Sequence, residues 1–236
     1  TVDCLFGTGL NKALNENYIN LINILNSYTS IKIACDIPSG INTIGQVESI
    51  AFEADITITM GALKTSLFSD MAKDYVGEII VANLGVQRNI YEIESNKYLL
   101  EKSDMKKTIS DKNNSHKRNF GHLNVIKKKK KGAGIIAANA AFGFGAGLVS
   151  IVCHENFELP YHIMQTHFIS ENCTAIAIGM GLGKYETEEI RKILNKNVAK
   201  IIDADLFYDE LICEVLEQEL VLTPHPKEFI SLLKLC

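Results

Sequence analysis

Short apolar runs that break into glycine- and proline-bearing turns alternate along this chain with stretches of helical spacing, a rhythm that predicts parallel α/β architecture. The run Ile31-Lys32-Ile33-Ala34-Cys35 stops in Asp36-Ile37-Pro38-Ser39-Gly40 and reads as a buried strand whose carboxyl end projects Asp36 and Ser39 into a loop. An earlier strand, Val2 to Phe6, ends in Gly7-Thr8-Gly9-Leu10, so two polar strand ends are expected side by side. Between them Tyr18, Ile19, Leu21, Ile22, Ile24 and Leu25 recur at helical spacing. Asp55 to Met60 alternates as a third strand running into Gly61-Ala62-Leu63-Lys64, and Glu78 to Ala82 follows Asp74-Tyr75-Val76-Gly77 as a fourth. Together these elements suit half of a doubly wound sheet.

A second α/β rhythm starts at strand His122 to Ile126 and continues through a small-residue helix, Ala133 to Gly145, to strand Leu148 to Val152. Strand Thr174 to Ile178, helix Glu186 to Leu194 and strands Ala199 to Asp203 and Leu220 to Thr223 complete it, the last leading into a helix opened by Pro226. Proline suits a first helical position because its missing N–H would have no intrahelical partner. No repeat links the two halves.

Between them the composition shifts. From Glu101 to Lys131 fall 11 of the 24 Lys and Arg residues against three acidic ones, which marks a domain boundary or an exposed connection. The expected domains are residues 1–97 and 98–236, with 98–115 as the connecting segment. The five lysines 127–131 read as a solvated loop, with anion binding as the alternative.

An apolar fraction of 47% and a charged fraction of 22% over 236 residues are those of a globular protein with room for two cores. The net charge of −4 points away from nucleic acid as a main partner. No stretch approaches the roughly 18 uncharged apolar residues of a membrane span, and no secretory signal is present, so no membrane association and a cytoplasmic location are expected. Cys4, Cys35, Cys153, Cys173, Cys213 and Cys236 are dispersed without zinc-like spacing and read as small hydrophobes in a reducing compartment. Opening on a strand without Met and stopping within an apolar helical pattern, the chain reads as a piece of something longer.

Several strand ends carry candidate chemistry. Gly7-Thr8-Gly9 offers backbone N–H groups to a phosphate but lacks the third glycine and downstream acid of a dinucleotide fingerprint, so an ordinary turn stands beside that reading. Asp3 and Asp36 on neighbouring strands could converge on a cation or a ribose, or Asp36 could cap its own turn. Gly179-Met180-Gly181-Leu182-Gly183 lets a ligand approach the backbone or is a plain connection, and Asp203 and Asp205 either hold a polar ligand or cap a helix. Thr223-Pro224-His225-Pro226 holds His225 rigidly at a strand's carboxyl end, which favours a site role. Ser/His/Asp nucleophilic chemistry has no support without a G-x-S-x-G elbow.

Taken in order, these motifs resemble the bifunctional NAD(P)H-hydrate repair enzymes, which join an epimerase domain to an ADP- or ATP-dependent dehydratase domain. Asp3-x-x-Phe6-Gly7-Thr8-Gly9-Leu10, Asp36-Ile37-Pro38-Ser39-Gly40, Gly61-Ala62-Leu63-Lys64 and Asp74-Tyr75-Val76-Gly77-Glu78 look like the second half of the epimerase domain. His116-Lys117 with Phe120-Gly121-His122, Gly145-Ala146-Gly147-Leu148, Gly179-x-Gly181-Leu182-Gly183, Asp203-Ala204-Asp205 and Thr223-Pro224-His225-Pro226 look like the first half of the dehydratase. The resemblance implies an α/β fold, a Rossmann-like part followed by a ribokinase-like part, both three-layer parallel sheets and both incomplete.

It also implies that Gly7, Thr8, Gly9, Leu10, Asn11, Lys12, Ala13 and Asp36 contact the hydrated nicotinamide nucleotide, and that Asp3 and Ser39 ligate potassium. In the second half it points to Gly134, in the turn that starts at Gly132, with Gly181 and His225 as hydrate-binding positions. The implied partners are NADHX and NADPHX as substrates and ADP or ATP with magnesium, and a homo-oligomer is left open. The dehydratase phosphorylates the hydrate's hydroxyl and eliminates it, which turns a poor leaving group into a good one. The family's Asn- and Gly-rich nucleotide loop is expected upstream of Thr1 and the dehydratase's catalytic aspartate beyond Cys236. Arg118 and Lys227 stand where the family usually has Gly, and the lysine run replaces a glycine-rich loop. The alternative reading is a non-catalytic remnant that keeps a nucleotide-binding or assembly surface.

Overall fold

The structure, a computed structural model, describes the chain except residues 92–95, 106–113, 129–130 and 156–157. It divides into two units, Thr1–Leu99 and Leu100–Cys236, each built on its own all-parallel sheet. In the first, β1 (Val2–Asp3), β2 (Ile33–Cys35), β3 (Ile56–Met60) and β4 (Glu78–Ala82) lie side by side in chain order. Helix α1 (Glu16–Asn26) starts where the Asn15 side chain accepts the Tyr18 N–H at 3.1 Å, satisfying a donor that the first turn cannot use. Its Ile22 is fully buried with Leu10, Leu14, Ala34 and Phe52, and Ile19 and Leu25 pack against that cluster at the spacing read from the sequence. Short helices α2 (Lys73–Val76) and α3 (Arg88–Tyr91) flank β4 in the chain.

β1 is shorter than the apolar run Val2 to Phe6 suggests, for a reason that matters at the site. Asp3 Oδ1 accepts the Leu5 N–H at 3.1 Å, and Ser39 Oγ accepts the Phe6 N–H at 3.0 Å. Side chains therefore take the donors that a longer ladder would need. β2 likewise begins at Ile33, because the Lys32 N–H goes to Asp55 Oδ2 at 2.7 Å.

The second unit carries β5 (His122–Ile126), α4 (Lys131–Gly143), β6 (Leu148–Val152), β7 (Met164–Thr166), β8 (Ala175–Ile178), α5 (Thr187–Leu194), β9 (Ala199–Ile202), β10 (Leu220–Leu222) and α6 (Pro226–Leu235). The sheet order is β10-β9-β8-β5-β6-β7. From β5 the chain builds outward through β6 and β7, then returns to the other side of β5 and builds outward again through β8, β9 and β10. The reversal between β5 and β8 is a topological switch point, and in open α/β sheets the crevice outside the strands' carboxyl ends at such a point is where ligands bind. α5 turns Ile190, Ile193 and Leu194 into a core with Ile176, Ile178, Ile202 and Phe207. The second core, around Val125, Val149 and Ile151, takes in Ala138 of α4.

Two expectations are corrected here. Cys213 and Cys236 are not independent small hydrophobes: they form a disulfide with a Cα–Cα separation of 5.8 Å. Packing of α6 against the turns after β9 brings together residues 23 apart, and nothing in their spacing signals it. The first lysines of the run are also not a solvated loop. The Lys127 N–H extends the ladder to the Val152 carbonyl at 3.1 Å and its side chain is buried, while Lys128 is partly buried; 129 and 130 lie outside the described residues. Among the described residues no helix is long and apolar enough to cross a membrane.

Candidate functional site

In the first unit the ends of β1 and β2 converge as their sequence suggests. Asp3 and Ser39 are both buried, and Asp3 Oδ1 and Oδ2 accept from the Ser39 hydroxyl and N–H, each at 2.7 Å. With the Leu5 N–H, three of the carboxylate's four lone-pair sites are taken. Ser39 Oγ donates to Asp3 and accepts from Phe6, which leaves it one lone pair. Among the described residues no ammonium or guanidinium pairs with Asp3. A buried carboxylate held by neutral donors, with a hydroxyl beside it, has the hard-oxygen chemistry that a cation such as potassium takes. Ser39 owes its position to Gly40, whose φ is +102° and whose added Cβ would lie 2.0 Å from the Ile50 carbonyl oxygen.

One strand further in, Asp36 adopts φ +71°, an uncommon backbone conformation for a residue with a side chain. Its Oδ1 accepts from the Met60 N–H at 3.0 Å, from the Thr59 hydroxyl and from the Lys64 ammonium. Burial pushes this carboxyl up, but Lys64, the Met60 N–H and Thr59 together hold it below the usual carboxylate range. Oδ2 has no partner among the described residues and lies 3.6 Å from where a Gly7 Cβ would stand. It therefore faces the glycine turn after β1. There the N–H groups of Gly7, Thr8 and Gly9 make no hydrogen bond among the described residues, while the Leu10 N–H closes the turn on the Gly7 carbonyl. Thr8, Gly9, Asn11, Lys12 and Ala13 are exposed, whereas the Leu10 side chain is in the core and can offer a ligand only its backbone. The Cys35 thiol at this edge is pushed up to about 11, first by its hydrogen bond with Cys4 and then by burial, so thiolate chemistry is not on offer.

In the second unit the β5–β8 switch point is basic. Lys127, Lys128, Cys153, His154, Glu155 and Lys184 line a cleft of about 340 Å³. A neighbouring cleft of about 630 Å³ shares Lys128 and Lys184 and adds Gly183, Tyr185, Thr187 and Asp209. Lys128 forms an ion pair with Glu189 of α5, and Lys127 Nζ donates to the Lys128 carbonyl at 3.3 Å. Tyr185 donates to Asp209, and burial followed by that carboxylate pushes its phenol well up, so it stays protonated. Asp205 accepts the Gly183 N–H at 3.0 Å and so ties down the glycine loop that the sequence singles out.

The structure does not gather all the second-half candidates. Gly181 is buried in the β8 loop at φ +72° and lines neither cleft, although Gly183 of the same loop lines the larger one. Gly134 sits in the first turn of α4, 3.4 Å by its would-be Cβ from the Lys127 stem, so close packing accounts for it. His225 stands at the end of β10, on the outer edge of the sheet, and its ring is folded onto its own helix. Nδ1 accepts from the N–H groups of Lys227 and Glu228 at 3.1 and 3.3 Å, and Glu228 returns the capping bond to the His225 N–H. Lys64 stands in the sequence within a motif that attaches no role to it, and Lys184 stands in no motif that signals one. The first becomes legible only from the β2–β3 register, which sets Cys35 beside Ile58 and so brings Asp36 to the Thr59–Met60 end of β3.

Comparison with known proteins bears on both edges. Residues 1–66 match the family model described as YjeF-related protein N-terminus, and residues 127–236 match the one described as NAD(P)H-hydrate dehydratase. The bifunctional NAD(P)H-hydrate repair enzyme Nnr of Helicobacter pylori is 44% identical over 99% of this chain and 50% of its own length. The chain belongs to the bifunctional NAD(P)H-hydrate repair family. Another member, from Coxiella burnetii, is 32% identical over 98% of this chain and 52% of its own length. The NAD(P)H-hydrate epimerase of Elusimicrobium minutum is 44% identical over 38% of this chain and 40% of its own. The chain thus spans about half the length of the bifunctional family members it matches. Among the described residues no three His, Cys, Asp or Glu side chains are grouped to hold a metal ion.

Proposed function

We propose that the protein containing this chain repairs hydrated NADH and NADPH, interconverting the R and S hydrates at the first unit and dehydrating the S hydrate at the second. The observation that carries this reading is the presence, in family order on one chain, of the epimerase-type edge with Asp3, Asp36 and Ser39 and of a basic switch point. In the first unit Gly7 to Ala13 cradle the nucleotide through backbone N–H groups and Asp36 accepts from a hydroxyl. Asp3 and Ser39 would hold potassium, which supplies a fixed positive charge beside the phosphate cradle. In the second, the lysines at the switch point face the anionic groups of the hydrate and of ADP or ATP, with magnesium accompanying the nucleotide. Gly134, Gly181 and His225 belong to this second reading as hydrate-side positions, His225 by shaping the start of α6.

The test is direct. The full-length protein, given a mixture of R and S hydrates, is expected to regenerate NADH from both when potassium and ADP or ATP with magnesium are present, and to leave the S hydrate unconsumed without nucleotide. Failure to consume either hydrate under those conditions refutes the reading.

A narrower expectation concerns Gly7. Its backbone is not left-handed and an added methyl meets Asp36 Oδ2 at an ordinary 3.6 Å, so Gly7→Ala should change unfolding free energy by less than about 1 kcal/mol. The methyl would nevertheless stand in front of Oδ2. Epimerisation should show a KM raised about tenfold or more, as expected when a buried polar contact is lost. Unchanged kinetics would remove Oδ2 from the substrate surface.

A further inference from the structure

We propose that Lys64 is a positioning residue: it anchors Asp36 through Oδ1, so that Oδ2 is held toward the Gly7 turn to accept a hydrogen bond from a ligand hydroxyl. The proposal rests on the epimerase reading of the first unit and extends it to a residue outside the nucleotide- and cation-contacting set.

The geometry is fully specified around Lys64. An ammonium has three protons, and Lys64 Nζ has three acceptors: Asp36 Oδ1, Thr59 Oγ1 at 2.9 Å and the Met60 carbonyl at 2.7 Å. Its charge is therefore fixed on one side of one carboxylate and does not sample the surface as most exposed ion pairs do. Asp36 receives every donor it has, Lys64, Thr59 and Met60, on Oδ1. The other oxygen lies 3.6 Å from where a Gly7 Cβ would stand, beside a turn whose Gly7, Thr8 and Gly9 N–H groups make no hydrogen bond among the described residues.

Asp36's left-handed backbone makes the same point from the other direction. A side chain at φ +71° persists where its surroundings over-determine it, and at this edge the surroundings are the donors on Oδ1. The carboxyl is kept ionised against the upward push of burial chiefly by Lys64, with Met60 and Thr59 adding to it. Of the other ionisable groups near this carboxyl, Asp3 and the thiols of Cys4 and Cys35 carry no positive charge, and Lys12, exposed in the glycine turn, forms no ion pair with it. Removing the Lys64 charge thus takes away the one cation paired with Asp36 among the described residues.

The sign of the pH dependence follows. A carboxyl whose folded pKa is depressed keeps its pairing above the ordinary carboxylate range and loses it as pH falls through the folded value. Without Lys64 that loss begins at higher pH. The ligand selected is a neutral hydroxyl donor, such as a ribose or hydrate hydroxyl, since a second anion at Oδ2 would meet like charge.

The experiment uses the full-length protein, with Lys64→Met, Lys64→Gln and Lys64→Arg compared to wild type. Gln keeps an amide donor without charge and serves if Met impairs folding. Carbon-detected NMR of the Asp36 carboxyl and the KM and kcat of epimerisation are followed against pH. In Lys64→Met or Lys64→Gln the Asp36 titration and the acid limb of kcat/KM should both move up by at least about one pH unit, with the loss carried by KM. Lys64→Arg should restore both toward wild type. If the carboxyl titration stays in place, or moves while KM does not, the proposal is wrong although epimerisation itself stands. A wild-type protein that acts on neither hydrate overturns the proposal together with the reading beneath it.

Discussion

Gly179→Ala should be among the most damaging single substitutions in the second unit, lowering the unfolding free energy of the full-length protein's corresponding transition by about 3–5 kcal/mol in a urea titration. Gly179 has φ +116°, and a Cβ there would sit 1.7 Å from the Asp203 carbonyl oxygen and 2.7 Å from its carbon. Both atoms are backbone, so no rotamer change relieves the clash. An L side chain in that conformation costs on the order of 1–3 kcal/mol, and forcing packed backbone apart adds about as much again. The displaced segments are the ends of β8 and β9, where the Asp203 N–H bonds to the Ile178 carbonyl and the Asp205 N–H to the Gly179 carbonyl. A change below about 1 kcal/mol would mean that these strand ends are not held together as described.

The second large effect is expected at Asp3. Asp3→Ala removes the acceptor for the Ser39 N–H, the Ser39 hydroxyl and the Leu5 N–H at a buried position. Buried donors left unpaired cost about 1–3 kcal/mol each, part of which water entering the vacated volume can recover. A loss of about 3 kcal/mol is therefore expected, and Asp3→Asn, which keeps one acceptor oxygen, should lose less. On the proposed reading, potassium-dependent epimerisation by the full-length protein should disappear in both variants while dehydration of the S hydrate continues. Potassium dependence that survives in Asp3→Asn would show that the charge of Asp3 is not what binds the ion.

Much of the fold is legible in the sequence because its strands are uninterrupted. β4, β5 and β6 begin and end where their apolar patterns do, each bounded by glycine or by a change to polar residues. β7 carries no legible signal in Met164-Gln165-Thr166, a three-residue edge strand of mixed polarity that pairs with β6 alone. β1 is shorter than its apolar run: apolar residues signal burial but say nothing of which group takes their N–H.

The candidate site divides the same way. Asp3, Asp36 and Ser39 are visible as polar residues at strand ends, and parallel pairing does bring those ends together. What Oδ1 and Oδ2 of Asp36 each face depends on register and on the turn that returns Lys64, neither of which a linear pattern encodes. His225 illustrates the reverse limit. Its place at a strand end is plain from Thr223-Pro224-His225-Pro226, yet Pro226, one of the two prolines that aim it, also starts the helix whose N–H groups its ring satisfies.

The bond between Cys213 and Cys236 closes a covalent ring that contains β10, the His225 cap and the whole of α6. Closing a ring of this size restricts the unfolded ensemble by about 3 kcal/mol in the chain-entropy account. α6 itself buries only Glu228 and Leu232. Its retention against the rest of the unit is thus shared between a modest packing face and chain topology, and the second share is set by the thiol–disulfide balance of the surroundings.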